Sequence, residues 1–220
     1  PASKPVPLTA EEVEKMGVEK AAPLSVDFAV GDTVPYLTNR GVKGYFEALK
    51  TPVVVKETEG KKAFHFDGSQ LFRSSFSLPA TLQDNAPYTL EAWVLNDSIA
   101  ENECVADFTT SHDELEKIML VNGTEPRCGV INHYGWYEDV GYKGMKELTG
   151  RWQHIYICFD GRMEQVYING EQVSGKDIQL LVKPSQFVTL GRNAEGEWPF
   201  TGYLHSLKLW DEYIPLQGRK

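Results

Sequence analysis

The stretch 152–173 constrains the fold of this chain more than any other part of the sequence. Apolar residues alternate along 155–159 and again along 166–168, which is the period of a β-strand with one buried face. The first run ends at Asp160-Gly161 and the second at Asn169-Gly170. Both dipeptides suit tight turns because their residues adopt positive φ at little cost. The stretch therefore predicts an antiparallel meander.

Strand signals continue on both sides of this meander. Along 88–95 the pattern places Tyr88, Leu90, Ala92 and Val94 on one face of a strand. Near the C-terminus the apolar positions 204, 207 and 209 change parity once, which predicts a β-bulge near His205-Ser206. No sustained helical period appears after residue 24, so the sequence predicts an all-β fold. Two tryptophans embedded in apolar strands, Trp93 and Trp210, are predicted to lie in the core.

The composition limits the partners of the chain. With 220 residues it can form one sizeable core, and its net charge of −9 argues against binding the phosphates of a nucleic acid. No apolar stretch is long enough to span a membrane. Three cysteines, an odd number without a C-x-x-C pair, predict free thiols, with Cys158 buried.

The first 24 residues differ from the rest of the chain because four prolines surround a short segment with helical signals. Thr9 and Glu12 form a capping box at the start of this segment. We expect residues 1–24 to be a linker or extension that is helical or irregular, or else a helix docked on the main domain. Residues 25–215 are expected to form one domain, and 216–220 a C-terminal tail.

Several short motifs occur in a specific order along the chain. They are Ala63-Phe64-His65-Phe66-Asp67-Gly68, Tyr88-Thr89-Leu90-Glu91-Ala92-Trp93, Arg151-Trp152-Gln153-His154, Val166-Tyr167-Ile168-Asn169-Gly170, Thr189-Leu190-Gly191 and Phe200-Thr201-Gly202-Tyr203. The ordered set resembles the laminin-G-like jelly-roll domains of the concanavalin A-like lectin/glucanase superfamily, in the form common in extracellular bacterial proteins. The resemblance implies two antiparallel sheets packed as a sandwich. It also implies secretion to an extracellular, cell-surface or periplasmic location.

Enzymes that resemble this family cleave polysaccharides, and the hydrolases among them need two carboxylates across one glycosidic bond. The nearest candidates here are Glu103 with Asp107, the acidic run 113–116, and Glu138-Asp139. None follows the alternating pattern that such relatives use, so we interpret these side chains as solvated charges at strand ends and in loops. The sequence also has no nucleophile elbow or phosphate-binding loop. No catalytic residue is predicted.

Many members of the resembled family hold a structural Ca²⁺ with acidic residues of the terminal strand. At the matching place this chain has His205 and Ser206, which supply few oxygen ligands. Asp27, Asp32 and Asp67 remain as possible ligands beside backbone carbonyls. We expect no cofactor and no metal residue, with structural calcium as the lesser alternative.

The segment 132–142 is unusual because it combines large aromatic and polar side chains. Sugars stack their apolar faces on aromatic rings and need polar partners for their hydroxyls, and such a loop offers both. Trp198 lies in a second loop that we expect nearby. The alternative is that these rings fill a sheet face or cover the edge of the core. The predicted ligand residues are Asn132, His133, Tyr134, Trp136, Tyr137, Asp139, Tyr142 and Trp198.

These observations favour a non-catalytic carbohydrate-binding or adhesion module whose partner is a glycan or polysaccharide. A protein-interaction or spacer domain beside a neighbouring catalytic domain is the first alternative, because the Pro-rich N-terminal segment is typical of a linker. A polysaccharide hydrolase or lyase is the second alternative.

Overall fold

The structure of the chain is a computed structural model, and it describes residues 28–39, 41–99, 102–111, 113–123, 129–133, 140–141 and 149–216. The predicted N-terminal extension 1–24, including its capping box, lies outside these residues, and so does Cys128.

Within the described residues the chain forms sixteen β-strands. In chain order they are Thr33–Val34 (β1), Tyr36–Asn39 (β2), Gly44–Ala48 (β3), Val53–Thr58 (β4), Lys61–Asp67 (β5), Phe72–Ser74 (β6), Tyr88–Asn96 (β7), Asn102–Asp107 (β8), Met119–Gly123 (β9), Gly129–His133 (β10), Val140–Gly141 (β11), Gln153–Phe159 (β12), Met163–Ile168 (β13), Glu171–Asp177 (β14), Thr189–Leu190 (β15) and Thr201–Trp210 (β16). Two single-turn 3₁₀ helices, Ala80–Leu82 and Glu114–Glu116, lie in the connections.

The strands form two sheets of eight. Sheet 1 has the order β1-β4-β5-β16-β7-β12-β13-β14, and sheet 2 has the order β11-β10-β9-β8-β15-β6-β3-β2. Neighbouring strands pair antiparallel in both sheets. Side chains from the two sheets meet in one large hydrophobic cluster. The prediction of an all-β, two-sheet antiparallel sandwich is therefore confirmed.

The core lies between the two sheets and buries one face of β7. Tyr88, Leu90, Ala92 and Val94 are all fully buried in the cluster between the sheets. Sheet 2 contributes Phe46, Phe72 and Leu120 to the same cluster, among others. Burying one such aliphatic or aromatic side chain contributes about 1.5–3 kcal/mol to stability, so the inner faces of the sheets supply the main driving force for folding.

The meander predicted from residues 152–173 is confirmed as β12-β13-β14. Gly161, Asn169 and Gly170 have φ values of 98°, 52° and 82°, in the region that tight turns require. The predicted bulge is also confirmed, because the pairing of β16 with β7 shifts between Leu204 and Ser206.

The prediction that both tryptophans lie in the core is confirmed for Trp210, which is 2% exposed, and is wrong for Trp93. Trp93 is partly exposed on the outer face of sheet 1, where its ring centroid lies 4.8 Å from that of His154. The ammonium nitrogen of Lys61 lies 4.4 Å from the centroid of the Trp93 ring. Trp93 is outside the core because its neighbours Ala92 and Val94 occupy the inward-facing positions of β7.

The cysteines follow the prediction where the structure describes them. Cys104 and Cys158 are buried free thiols. Burial raises the pKa of the Cys158 thiol to about 11. Both side chains therefore act as small apolar residues and not as nucleophiles.

Candidate functional site

The predicted ligand residues divide into two groups. Asn132 and His133 lie at the end of β10 with fully buried side chains, and Trp198 is described in the loop before β16. The others lie outside the described residues; they are Tyr134, Trp136, Tyr137, Asp139 and Tyr142. A ligand contact by any of these eight residues therefore stays a prediction.

Asn132 and His133 both contact Glu164 of β13, which belongs to the opposite sheet. Asn132 Nδ2 donates to Glu164 Oε1 over 2.9 Å, and His133 Nε2 lies 2.7 Å from Glu164 Oε2. The Tyr88 hydroxyl donates to the same Oε2 over 2.6 Å and lies 3.0 Å from Asn132 Nδ2. All four side chains are fully buried. We call them the Glu164 cluster, and they join the two sheets through the interior.

The consecutive residues Asn132 and His133 both reach the Glu164 carboxylate because β10 is irregular at this point. The register of β10 against β11 shifts between Ile131 and His133. Such a shift breaks the strict alternation of side chains along a strand, so consecutive residues can turn toward one neighbour. The Glu164 cluster therefore fixes the end of β10 immediately before the predicted aromatic loop.

The partners of His133 determine the direction in which its pKa shifts. His133 Nδ1 lies 2.7 Å from the carbonyl oxygen of Lys117, which can only accept a hydrogen bond, and Nε2 faces the Glu164 carboxylate. Burial lowers the pKa of His133, but the charge and hydrogen bond of Glu164 together with the Lys117 carbonyl outweigh it, so the pKa of His133 is raised above its ordinary value. The raised pKa favours the imidazolium form of His133 beside the Glu164 carboxylate.

Sequence reasoning missed Glu164, although a signal was present. Glu164 alternates with Val166 and Ile168, which are both buried in the core cluster. A charged residue at an inward-facing position of a strand needs a partner in the interior because an unpaired buried charge is very costly. The pattern pointed to a buried partner, but it did not identify His133, 31 positions away.

Trp198 occupies a different place, on the outer face of sheet 2. It packs against Cys104 of β8 and against Met119 and Val121 of β9, and it is partly buried. Its φ of 56° is unusual for a bulky residue. Its carbonyl accepts a hydrogen bond of 2.9 Å from the Cys104 amide, so the loop is attached to β8. Backbone strain of this kind costs about 1–3 kcal/mol and persists where the surrounding structure enforces it.

The structure does not bring the side chain of Trp198 next to those of Asn132 and His133. Asn132 and His133 face Tyr88 and Glu164 between the sheets, whereas Trp198 covers the opposite face of sheet 2. The two described parts of the predicted site are therefore separated by the sheet itself.

The interpretation of Glu103 as a solvated charge is wrong. Glu103 lies in β8 and is 3% exposed. Asn96 Nδ2 donates to Glu103 Oε2 over 2.8 Å, and the Thr201 hydroxyl donates to Oε1 over 2.6 Å. Burial raises the pKa of Glu103, and these hydrogen bonds only partly offset the effect. The partners were not visible in the sequence because Thr201 is 98 positions away.

Asp107 is likewise buried and not a solvated loop charge. It is 1% exposed, and Lys117 Nζ lies 3.6 Å from its Oδ2. The Ala194 amide donates to the same oxygen over 3.0 Å. Burial raises the pKa of Asp107 to about 6, against the opposing effect of the Lys117 charge. The outer face of sheet 2 therefore holds a buried ion pair beneath the loop that carries Trp198.

Two of the three aspartates that remained as possible calcium ligands accept hydrogen bonds from nearby groups of the chain. Asp67 Oδ1 accepts hydrogen bonds from the amide and the hydroxyl of Ser69, and Asp32 Oδ2 accepts from the Ala29 amide. Asp27 lies outside the described residues. In the part of the chain that the structure describes, no group of three or more His, Cys, Asp or Glu side chains is arranged to hold a metal ion.

Comparisons with known structures give the same fold. Domain 4 of AbnA, a GH43 extracellular arabinanase from Geobacillus stearothermophilus in complex with arabinotriose, is 20% identical with a TM-score of 0.58 over 74% of this chain and 77% of that one. A putative carbohydrate binding protein from Bacteroides ovatus is 19% identical with a TM-score of 0.51 over 81% and 57%. The receptor binding domain of botulinum neurotoxin C/D mosaic serotype is 11% identical with a TM-score of 0.59 over 90% and 49%.

This chain therefore spans only about half of the length of the last two proteins. At these identities the likeness shows the fold alone. No curated protein matches the sequence. Among the described residues, no helix has the length and apolar character needed to cross a membrane.

A laminin G family model, described as concanavalin A-like lectin/glucanases superfamily, matches residues 68–215, which is more than half of the chain. The matched range includes most of both sheets, the Glu164 cluster and Trp198. The chain belongs to the concanavalin A-like lectin/glucanases superfamily and has its laminin-G-like, two-sheet form.

Proposed function

We propose that residues 25–215 form a non-catalytic carbohydrate-binding or adhesion module of an extracellular or cell-surface protein. The observation that carries the proposal is Trp198, an indole held on the outer face of sheet 2 by a strained backbone. Strained residues concentrate at ligand sites, and a partly exposed indole is a good stacking partner for the apolar face of a sugar. The loop that follows His133 supplies further aromatic and polar contacts in this proposal, with Trp136 as the main ring.

The structural neighbours support a glycan as the partner. One of them is a domain of an arabinanase in complex with arabinotriose, and another is described as a putative carbohydrate binding protein. That first neighbour is one domain of a larger enzyme, which supports the further proposal that this chain accompanies a catalytic domain.

The positions of Glu103 and Asp107 support a non-catalytic role. Glycosidases place two carboxyl groups about 5–9.5 Å apart on the two sides of one glycosidic bond. Glu103 turns toward Asn96 and Thr201 of sheet 1, whereas Asp107 turns toward Lys117 and the Ala194 amide on the outer face of sheet 2. The pair therefore lies on opposite faces of one sheet and cannot flank a single bond.

The test is affinity gel electrophoresis of the whole chain in a panel of neutral and acidic polysaccharides that includes arabinan. We expect Trp198→Ala and Trp136→Ala each to abolish retention on the polysaccharide that retains the native chain. Trp136→Ala is expected to leave the melting temperature nearly unchanged. Trp198→Ala is expected to lower it because the ring also covers Cys104, Met119 and Val121.

Trp93→Ala is the matched control because Trp93 is also partly buried but lies on the outer face of sheet 1. We expect it to lose stability and keep full retention. If Trp198→Ala and Trp136→Ala are retained as strongly as the native chain, neither ring binds the polysaccharide and both serve packing only. If the native chain is retained by no polysaccharide of the panel, the alternative of a protein-interaction or spacer domain is favoured.

A further inference from the structure

Two exposed tyrosines lie in contact on the outer face of sheet 2, at the edge opposite β11. Tyr36 of β2 is 53% exposed and Tyr45 of β3 is 45% exposed. Their ring centroids are 5.7 Å apart with an interplanar angle of 82°. The next residue in each strand, Leu37 after Tyr36 and Phe46 after Tyr45, is buried in the core. Because side chains alternate along a strand, both tyrosines point away from the core. Two adjacent aromatic rings are thus left available to a partner.

Polar groups stand next to these rings on the same face. Tyr36 pairs with Glu47, and Glu47 pairs with Arg73, so the three side chains form a row across β2, β3 and β6. Glu47 and Arg73 are both exposed. The guanidinium carbon of Arg73 lies 4.0 Å from the centroid of the Phe187 ring, so the aromatic ring and the cation are in contact on this face.

We propose that this tyrosine platform, consisting of Tyr36, Tyr45, Glu47, Arg73 and Phe187, is a second contact site for a polymeric glycan. The inference rests on the proposed function. It adds the class of ligand, which is an extended glycan chain and not a single terminal sugar. The tyrosine rings offer stacking faces for sugar C–H groups. The Arg73 guanidinium donates hydrogen bonds to hydroxyl oxygens, and the Glu47 carboxylate accepts them.

The length of the ligand follows from the strand order of sheet 2. The same row continues from Arg73 to Thr189 of β15 and Asp107 of β8, the strand against which Trp198 packs. Four strand spacings of about 4.8 Å separate β2 from β8, so Tyr36 lies roughly 19 Å from the strand under Trp198, and Tyr45 of β3 lies roughly 14 Å from it. Only an extended polymer can contact both the tyrosine rings and Trp198. It gains affinity from doing so because the second contact is intramolecular.

The experiment compares a long and a short ligand by calorimetry, using the polysaccharide that retains the native chain and short oligosaccharides cut from it. In Tyr36→Thr/Tyr45→Thr, threonine keeps the preference for β-strand while it removes both rings. We expect this variant to bind the polymer at least about tenfold more weakly and the short oligosaccharides unchanged, since these contact only the Trp198 region. Tyr213→Thr, at a tyrosine that is 37% exposed elsewhere, is the matched control and keeps full affinity.

Each outcome has a defined meaning. Unchanged polymer affinity in the folded double variant overturns the platform and leaves the proposed function intact. Equal weakening of long and short ligands overturns the two-contact arrangement. Absence of glycan binding by the native chain overturns the proposed function itself and the platform with it. If the double variant does not fold, Arg73→Gln takes its place, and unchanged polymer affinity in that variant overturns the proposal equally.

Discussion

Two buried glutamates each connect the two sheets, and their surroundings differ. Glu164 reaches from sheet 1 to His133 of sheet 2, with which it forms an ion pair of 2.7 Å. Glu103 reaches from sheet 2 to Asn96 and Thr201 of sheet 1, and these partners are neutral. Beside Glu164 the pKa of the histidine is raised, whereas at Glu103 burial raises the pKa of the carboxyl itself. The same protein interior thus stabilises one buried carboxyl group with a cation and another with neutral hydrogen-bond donors. The stability of the protein should respond differently to mutation and to pH at the two sites.

The largest expected effect is at Glu164. In Glu164→Gln an amide replaces the carboxylate that Tyr88, Asn132 and His133 contact. His133 also loses the negative charge opposite its ring. Breaking a buried ion pair costs about 3–5 kcal/mol, and we expect a loss of that size in urea unfolding at pH 6. Glu171→Gln, at an exposed position of β14, is the control and should change stability by less than about 0.5 kcal/mol. Equal stability of the two variants would show that Glu164 carries no net interaction.

A smaller loss is expected at Glu103. In Glu103→Gln one carbonyl acceptor remains, and no cation loses its partner because the donors are the Asn96 amide and the Thr201 hydroxyl. Hydrogen bonds to a charged group contribute about 1.5–3 kcal/mol, so the free energy of unfolding should fall by that amount at most. The same urea unfolding experiment measures it. A loss equal to or larger than that of Glu164→Gln would contradict the distinction between the two glutamates.

The smallest expected effect is a change in the pH dependence of stability. The pKa of folded His133 is raised, so its contribution to stability is complete below the unfolded pKa of 6.5 and is lost as pH rises through the folded pKa. Unfolding free energies measured from pH 4 to 9 should therefore decline above pH 6.5 in the native chain. In Glu164→Gln the main cause of the raised pKa is absent, burial lowers the pKa of His133, and this decline should disappear.

Two other carboxyl groups with raised pKa values affect stability at lower pH, and they serve as an internal check. Asp107, with a pKa of about 6, and Glu103 lose their contributions as pH rises above their unfolded values of 3.8 and 4.5. These losses should persist in Glu164→Gln. An NMR titration that finds the pKa of His133 below 6.5 in the native chain would contradict the imidazolium assignment.

The parts of the fold that were predictable are those with local causes. Asp160-Gly161 and Asn169-Gly170 determined the meander because a tight turn depends only on the φ values of its own residues. The parity change at His205 predicted the bulge for a similar reason, since an inserted residue reverses the alternation within one strand.

The parts that were not predictable depend on distant neighbours. Trp93 was assigned to the core because both faces of its strand carry apolar residues, and the pattern did not show which face is covered. At the candidate site, the aromatic composition of 132–142 was visible, but the partner that buries Asn132 and His133 was not. Trp198 was predicted to lie near that loop, yet its backbone strain and its position over β8 and β9 come from the path of the chain in space.

The sequence by itself determined the class of the fold, its superfamily, the strand meander and the aromatic character of the candidate binding segment, because alternation, turn residues and motif order are properties of neighbouring positions. Only the tertiary structure decided which carboxylates are buried, which of them meets a cation and which rings remain exposed. Burial and charge pairing join residues far apart in the chain, as with His133 and Glu164 or Glu103 and Thr201, and a linear pattern does not contain those distances.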